Sequence, residues 1–475
     1  MATDASDIRA SEAGTVSNPS SLTPVEFGDR KHEYPGEDAA DVVDWSGPDN
    51  NANPHKWPSH KKWTHIVLVS LLALVTNMAP TICVPGINEL TADFDVRSAT
   101  VGTLAITLYS LGLAIGPMAI SPLSETYGRL PVYHATNGVF VAFIVATALS
   151  RNIAQFIVFR VLSGLAGGTP MALGGGTIAD VTVPENRAIA MALFSLGPLA
   201  GPILGPVIGG FTAGPLGWRW SFWILAIFSG GILLASALLM RETYPKVLLE
   251  RKAAHLRNIT GNKNLHYNLG STSYLSPTQA VVAALVRPCS LLVKSPILLV
   301  ISIYVAFISG TLYLLLTTFA DVFEGQYGFN TTISGLPYLG LGAALVMAMV
   351  AFRVLSNRIR RQEPLRPESR LILMIWFSPL VSLGLFLYGW TAYYKVHWIV
   401  PILGTSIIGF GVFFVLMPAQ LYLVDVFGSH SAASALGANN LLRFLANTFL
   451  PLAGPPMYKS LGFGSRLRAR SAERI

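Results

Sequence analysis

The sequence predicts an all-α polytopic membrane protein. Apolar residues make up 52% of the 475-residue chain and charged residues only 12%, well below the ~25% usual in soluble domains. The apolar residues also come in long blocks rather than as one face of amphipathic elements. A block of about 20 apolar residues can cross the hydrocarbon of a bilayer as a helix. The blocks are therefore interpreted as membrane spans.

The chain begins with a polar segment, residues 1–62, which is rich in Asp, Glu, Ser and Pro. No apolar core follows Met1, so a cleaved signal peptide is not expected, and the first span is expected to act as the targeting signal. The composition predicts an acidic, disordered tail.

Eleven spans are predicted, six before and five after a charged central loop, residues 241–295. They define an N-terminal six-helix half, 63–240, and a C-terminal half with five visible helices, 296–455. A basic, atypical tail occupies 456–475. The predicted spans are 64–84, 100–120, 131–150, 154–178, 188–212, 220–240, 296–319, 333–354, 371–390, 397–420 and 432–453.

Basic residues predict the orientation, because cytosolic connections carry an excess of Lys and Arg. With the first segment inside, most Lys and Arg of the connections lie on the cytosolic side, and the central loop is cytosolic. The predicted outer connections carry only Arg97, Arg151, Arg219 and Lys395. This asymmetry accounts for the net charge of +8 without a nucleic-acid partner.

A row of small residues marks the fifth span. Four glycines recur at every fourth position and three prolines follow the same spacing, a pattern that would break a helix in a soluble protein. In a membrane such prolines are tolerated, and the glycines form a flat face that a second helix can approach closely. The row comprises Gly197, Pro198, Gly201, Pro202, Gly205, Pro206, Gly209 and Gly210.

Two arginines lie inside predicted spans. A midspan arginine costs ~2.5–3.5 kcal/mol even on the lenient insertion scale, so it normally faces a cavity or a partner. Arg160 lies in the fourth span, and Arg443 lies in the eleventh beside Asn439 and Asn440. For the Arg443 cluster, two interpretations stay open: the lining of a pocket, and polar contacts that hold helices together.

These motifs resemble those of the major facilitator superfamily. The loop 121–131, the Arg160 segment 160–168 and the glycine–proline row occur in the family's order. Short segments also resemble fungal drug:proton antiporters with twelve spans, namely 53–58, 242–245, 422–425 and 432–435. The resemblance implies a major facilitator fold of two six-helix repeats, with the last helix apparently missing here.

The resemblance also implies roles for residues. Glu125, Gly128 and Arg129 would form the conformational lock of the cytosolic loop, although Ser121 and Leu130 depart from the family pattern. An ordinary charged turn is the alternative. Arg160 would take part in proton coupling, and a structural arginine bonded to helix carbonyls is the alternative. The glycine–proline row would be the antiporter motif.

The implied function is a proton-coupled secondary transporter that exports a small hydrophobic compound by alternating access. No Asp or Glu lies well inside a predicted span, so the proton carrier is unassigned and a polycationic substrate is disfavoured. A neutral or weakly acidic drug or secondary metabolite fits better. Candidate cavity residues are Asn77, Tyr304, Tyr313, Gln420, Asn439, Asn440 and Arg443.

Two alternatives remain at this stage. One is an uptake permease of the same fold. The other is a non-transporting or defective protein, because a basic sequence follows Gly464 where a twelfth span is expected. A truncated, frameshifted or alternatively spliced end is one explanation.

The sequence carries no sign of an enzyme, since it lacks a phosphate-binding glycine loop, paired metal ligands and a nucleophile–base set. No cofactor or metal is expected. The expected partners are a small-molecule substrate, protons and the lipid bilayer, and the expected state is a monomer in the cell membrane, with the vacuolar membrane second. Asn330 begins a glycosylation sequon on a predicted outer connection.

Overall fold

The computed structural model describes residues 42–45, 52–266, 277–362 and 367–460. These residues are helical apart from turns and a parallel two-residue bridge between Val42 and His266. The helices, in chain order, are α1 (Ser59–Met78), α2 (Ile87–Asp93), α3 (Ala99–Tyr127), α4 (Arg129–Ala148), α5 (Ile153–Gly167), α6 (Thr169–Val181), α7 (Pro184–Leu216), α8 (Trp218–Leu239), α9 (Pro245–Thr260), α10 (Pro277–Lys294), α11 (Pro296–Tyr327), α12 (Tyr338–Gln362), α13 (Ser369–Phe377), α14 (Pro379–Tyr393), α15 (Ile399–Phe449) and α16 (Gly454–Ser460).

Within the described ranges, nine helical segments are long and apolar enough to cross a membrane. The first and the eleventh predicted spans are helical as well, as α1 and the part of α15 that follows Gly428. The predicted all-α membrane class is confirmed.

Helix α1 ends at Met78, earlier than the predicted boundary at 84. The cause is Pro80, which has no amide hydrogen to donate to the carbonyl of Thr76. That carbonyl instead accepts a hydrogen bond of 2.7 Å from the hydroxyl of Tyr109 on α3. Residues 79–86 form turns, so the first span is broken near its outer end.

Four other spans differ from the prediction in their continuity. The fourth span is divided at Gly168 into α5 and α6, and the ninth is divided at Ser378 into α13 and α14. The tenth and eleventh spans follow one another without a loop, because the range α15 contains two helices that join at Gly428, whose backbone is not helical. Gly428 has φ 60° and ψ −178°, a conformation that only glycine adopts readily. The predicted connection between these spans is therefore mostly helical.

The central loop contains two helices that pack on the rest of the chain. Buried side chains of α9 include Leu249 and Ala253, and the amide of Val43 donates to the carbonyl of His266 over 2.7 Å. Helix α10 packs against α3 and α15. Most of the predicted acidic tail and residues 461–475, with most of the basic tail, lie outside the described residues.

Each half of the bundle builds its own hydrophobic core. One core is formed mainly by α1 to α8, and the other mainly by α11 to α15. A few side chains pack into the core of the other half: Ala320 and Phe444 are part of the first core, and Ile203 is part of the second. We call the contact surface between the halves the seam, and we name its inner and outer ends after the predicted topology.

Candidate functional site

The outer end of the seam is closed by contacts of α7 with residues 331–342. A Cβ atom built on Gly210 would lie 2.9 Å from the carbonyl oxygens of Thr331 and Thr332. Further along, a Cβ atom on Gly342 would lie 2.8 Å from a side-chain carbon of Ile203. Glycines therefore let the two halves meet backbone to backbone at this end.

Acidic side chains also meet at the outer end of the seam. Asn88 on α2 donates from its amide nitrogen to Asp321 over 3.3 Å and to Glu324 over 3.5 Å, both on α11. Burial raises the pKa of the nearby carboxyl of Glu89. The predicted seventh span ends at residue 319, so the cluster was not predicted from the sequence. Helix α11 continues to Tyr327, and the absence of proline between residue 319 and this end indicates the continuation in the sequence.

The glycine row on α7 lies against α1 within the same half. Helix α7 runs continuously through its prolines. Cβ atoms built on Gly201 and Gly209 would lie 2.7 Å from the carbonyl carbon of Asn77 and 3.0 Å from that of Ile82. The amide of Asn77 donates to the carbonyl of Ala73 over 2.8 Å. Asn77, a predicted cavity residue, therefore packs against the glycine row of α7.

At the inner end of the N-terminal half, Arg129 forms a largely buried ion pair with Asp180 on α6. Its second guanidinium contact with this carboxylate measures 3.4 Å, and the guanidinium lies 5.2 Å from the ring centre of Tyr244. Gly176 leaves room for it, since a Cβ atom there would lie 2.6 Å from both terminal nitrogens. Glu125 is exposed and forms no ion pair with a described residue.

The carboxylate of Glu242 caps the N-terminus of α4. It accepts hydrogen bonds from the amides of Arg129 and Leu130, at 3.0 and 3.2 Å. A carboxylate at this place satisfies free amides and matches the helix dipole. Gly128 has φ 97°, and a Cβ atom there would lie 3.0 Å from the carboxyl carbon of Glu242. The turn therefore requires glycine for two independent reasons.

Arg160 is fully buried, and its guanidinium donates hydrogen bonds to four backbone carbonyls. It donates to Ala79 over 2.6 Å and to Pro80 over 3.1 Å, both in the break after α1. It also donates to Ala105 and Ile106 on α3, at 3.3 and 3.1 Å. These are the contacts expected of a structural arginine, and its role in proton coupling stays a prediction.

We expect Arg160→Ala to destabilise the protein. The carbonyls of the broken segment would lose their donors, and each unsatisfied buried polar group costs about 1–3 kcal/mol. Thermal unfolding of the purified protein in detergent, followed by tryptophan fluorescence, should show a clear loss of stability. An unchanged unfolding midpoint combined with lost proton coupling would instead favour the coupling role.

A second arginine inside the bundle, Arg443, is partly buried and lies at the seam. The phenol of Tyr313 on α11 is within its electrostatic reach and lies beside the hydroxyl of Ser110 on α3. Asn439 and Asn440 are one turn away on α15. The structure thus brings together four of the predicted cavity residues: Tyr313, Asn439, Asn440 and Arg443.

The remaining predicted residues lie elsewhere. Tyr304 packs against the core of the C-terminal half, and Gln420 is partly buried on α15. Asn330 is exposed in the turn after α11, where its side chain accepts a hydrogen bond of 3.0 Å from the amide of Ile333. Its glycosylation stays a prediction.

Comparison with known proteins identifies the family. The model of the major facilitator superfamily matches residues 69–451. The MFS transporter prlG of Fungal sp. (strain NRRL 50135) is 52% identical over 431 residues, which cover 89% of this chain and 90% of that protein. The efflux pump radE of Floropilus chiversii is 42% identical over 431 residues, covering 89% of this chain and 79% of that protein.

Solved structures share the fold. The xylose transporter XylE from E. coli, in a partially occluded inward-open conformation, matches with a TM-score of 0.63 at 17% identity, covering 84% of this chain and 92% of that chain. At this identity the likeness concerns the fold alone. With the family match over most of its length, the chain belongs to the major facilitator superfamily, and it is a multi-pass membrane transporter rather than an enzyme.

Proposed function

We propose that the protein is a proton-coupled antiporter that exports a small hydrophobic compound from the cytosol by alternating access. The observation that carries this proposal is the construction of α7. One face is bound tightly to α1 through the glycine row, and the opposite face closes the outer end of the seam at Gly210. A helix fixed to one half and released from the other suits a rocking movement of two rigid halves.

Similarity to a named efflux pump and to the antiporter motif supports export rather than uptake. The relative radE is named an efflux pump, and the glycine–proline row resembles the antiporter motif. We assign a neutral or weakly acidic drug or secondary metabolite as the substrate, and the cell membrane as the location. An uptake permease of the same fold is the competing function, and the direction of movement distinguishes the two.

Proton coupling is supported by the acidic cluster at the outer end of the seam. When the outer end of the seam is closed, Asp321 and Glu324 both accept hydrogen bonds from the side-chain amide of Asn88 in the other half. Two carboxylates in one poorly hydrated place repel each other when both are charged. Protonation from outside would therefore favour closure, and this couples proton entry to the return of the empty transporter. Arg160 is a second candidate for proton coupling, because its sequence context resembles the family motif.

The test uses purified protein inserted into vesicles so that the outer face of the protein points into an acidified lumen. The probes are naphthylacetic acid and its neutral amide, naphthylacetamide. We expect at least one probe to enter the lumen in a manner that a protonophore abolishes, while a lumenal pH dye reports loss of protons. Asp321→Asn should reduce the proton signal per molecule transported.

The outcomes separate the alternatives. Passive entry of a weak acid would acidify the lumen, whereas antiport makes it more alkaline. Co-movement of probe and protons in the same direction would indicate a permease. No protein-dependent flux of either probe would favour the non-transporting alternative and overturn the proposed function.

A further inference from the structure

We propose that Arg443 binds the acidic group of the transported compound. The binding cluster consists of Arg443, Asn439 and Asn440 on α15, Tyr313 on α11, and Thr107 and Ser110 on α3. This inference rests on the proposed function and specifies it: the substrate carries an anionic oxygen group, such as a carboxylate, beside an apolar body.

Neighbouring contacts fix the position of the cluster. The hydroxyl of Ser309 on α11 donates to the amide oxygen of Asn447 on α15 over 2.8 Å. Arg443 lies one turn before Asn447 on α15, and the phenol of Tyr313, one turn after Ser309 on α11, is within electrostatic reach of its guanidinium. The adjacent residue Phe444 is buried in the core of the other half. Arg443 therefore lies where both halves meet, at the midspan level of α11 and α15.

The polar groups of the cluster are buried without protein partners. Asn439 is completely buried, and neither its amide oxygen nor its nitrogen has a hydrogen-bond partner among the described residues. The same holds for the amide oxygen of Asn440 and for Nε of Arg443. The hydroxyl of Thr107, one turn from Ser110, is likewise unpartnered.

Arg443 also has no counter-charge among the described residues. None of their ion pairs includes it, and its guanidinium carbon lies 4.7 Å from the ring centre of Phe444. Arg160, in the neighbouring half, shows what a structural arginine looks like here, since carbonyls of two segments accept its hydrogens. The contrast separates the two arginines and disfavours helix–helix packing as the role of Arg443.

An organic anion matches this set of groups. A buried cation is costly unless it is paired and hydrogen-bonded, and the planar guanidinium fork fits a carboxylate or a related oxyanion. The amide nitrogen of Asn439 and the Thr107 hydroxyl can donate further hydrogen bonds. Next to the cluster on α15, Phe444 belongs to one hydrophobic core and Ala438 to the other, so we expect the rest of the ligand to be hydrophobic.

The test measures equilibrium binding to purified protein, without a proton gradient. The probes are the matched pair used above, naphthylacetic acid and naphthylacetamide, which have similar shapes but differ in charge. Wild-type protein should bind the acid more tightly than the amide. Because a hydrogen bond to a charged group contributes ≈ 1.5–3 kcal/mol, Arg443→Gln should weaken binding of the acid by about 10- to 100-fold.

Three controls accompany this measurement. The amide should bind Arg443→Gln almost as well as it binds wild type, which shows that the variant is folded. Arg443→Lys should keep part of the preference for the acid. Arg151→Gln, which removes the same charge from an exposed position, should change neither affinity.

Equal binding of acid and amide by wild type, no binding of either, or equal loss of both in folded Arg443→Gln would overturn the inference. Failure of the proposed function gives a different result, because charge-dependent binding would persist in a protein that moves neither probe across the vesicle membrane.

Discussion

Replacing Gly209 with leucine is expected to prevent stable folding of the N-terminal half. The position has no space, since even a Cβ atom would lie 3.0 Å from the carbonyl carbon of Ile82 and closer to its oxygen. The obstacle is backbone, so it cannot move aside as a flexible side chain could. Overpacking of this kind costs about 1–3 kcal/mol or more. The yield of monodisperse protein in size-exclusion chromatography and its unfolding temperature measure the loss.

Two other glycines supply matched controls. Gly230 on α8 has nothing within 4 Å of a Cβ atom, so Gly230→Leu should leave both yield and unfolding temperature unchanged. Gly210→Leu should fold, because it faces the other half, but it should hold the outer end of the seam open and abolish transport. Normal yield and stability of Gly209→Leu would show that α1 and α7 are not packed as described.

Replacing Arg129 with alanine is expected to be the second most damaging change. It leaves the largely buried carboxylate of Asp180 without its ion-pair partner, and breaking a buried pair from one side costs about 3–5 kcal/mol. We expect a large drop in unfolding temperature and loss of transport. The double variant Arg129→Ala, Asp180→Ala should recover much of the stability, because no unpaired charge remains.

Glu125→Ala is the control for this loop. Its side chain is exposed, so the folded protein should keep its stability. If Glu125→Ala destabilises the protein as much as Arg129→Ala does, the assignment of Asp180 as the partner of Arg129 is wrong. In that case the double variant Arg129→Ala, Asp180→Ala would not recover stability either.

Much of the architecture could be predicted from sequence, because the bilayer restricts what apolar blocks can form. Each predicted span is helical over most of its length, and the glycine row on α7 is visible as a simple period of four. The helix breaks were harder to place. Two helices join at Gly428 without a loop between them. The break after Met78, caused by Pro80, leaves the carbonyl of Thr76 to accept a hydrogen bond from Tyr109, 33 residues further along the chain.

The candidate site was only partly predictable, since its groups are brought together by contacts between distant segments. Arg160 and Arg443 are both midspan arginines in sequence, and only their surroundings distinguish them. The partner of Arg129 is Asp180, 51 residues along the chain, rather than the nearby Glu125. The acidic cluster depends on the true end of α11, which lies beyond the apolar block.

The most direct test of the account is a reversible cross-link across the outer end of the seam. Gly214 on α7 faces Thr332, whose Cα would lie 3.5 Å from a Cβ atom at position 214, so Gly214→Cys and Thr332→Cys place two thiols within disulfide reach. The pair is made with Cys289→Ala, because Cys289 is exposed. Oxidation should abolish proton-driven transport of the probes in vesicles, and reduction should restore it. Undiminished transport by fully cross-linked protein would contradict the conclusion that substrate leaves through this seam.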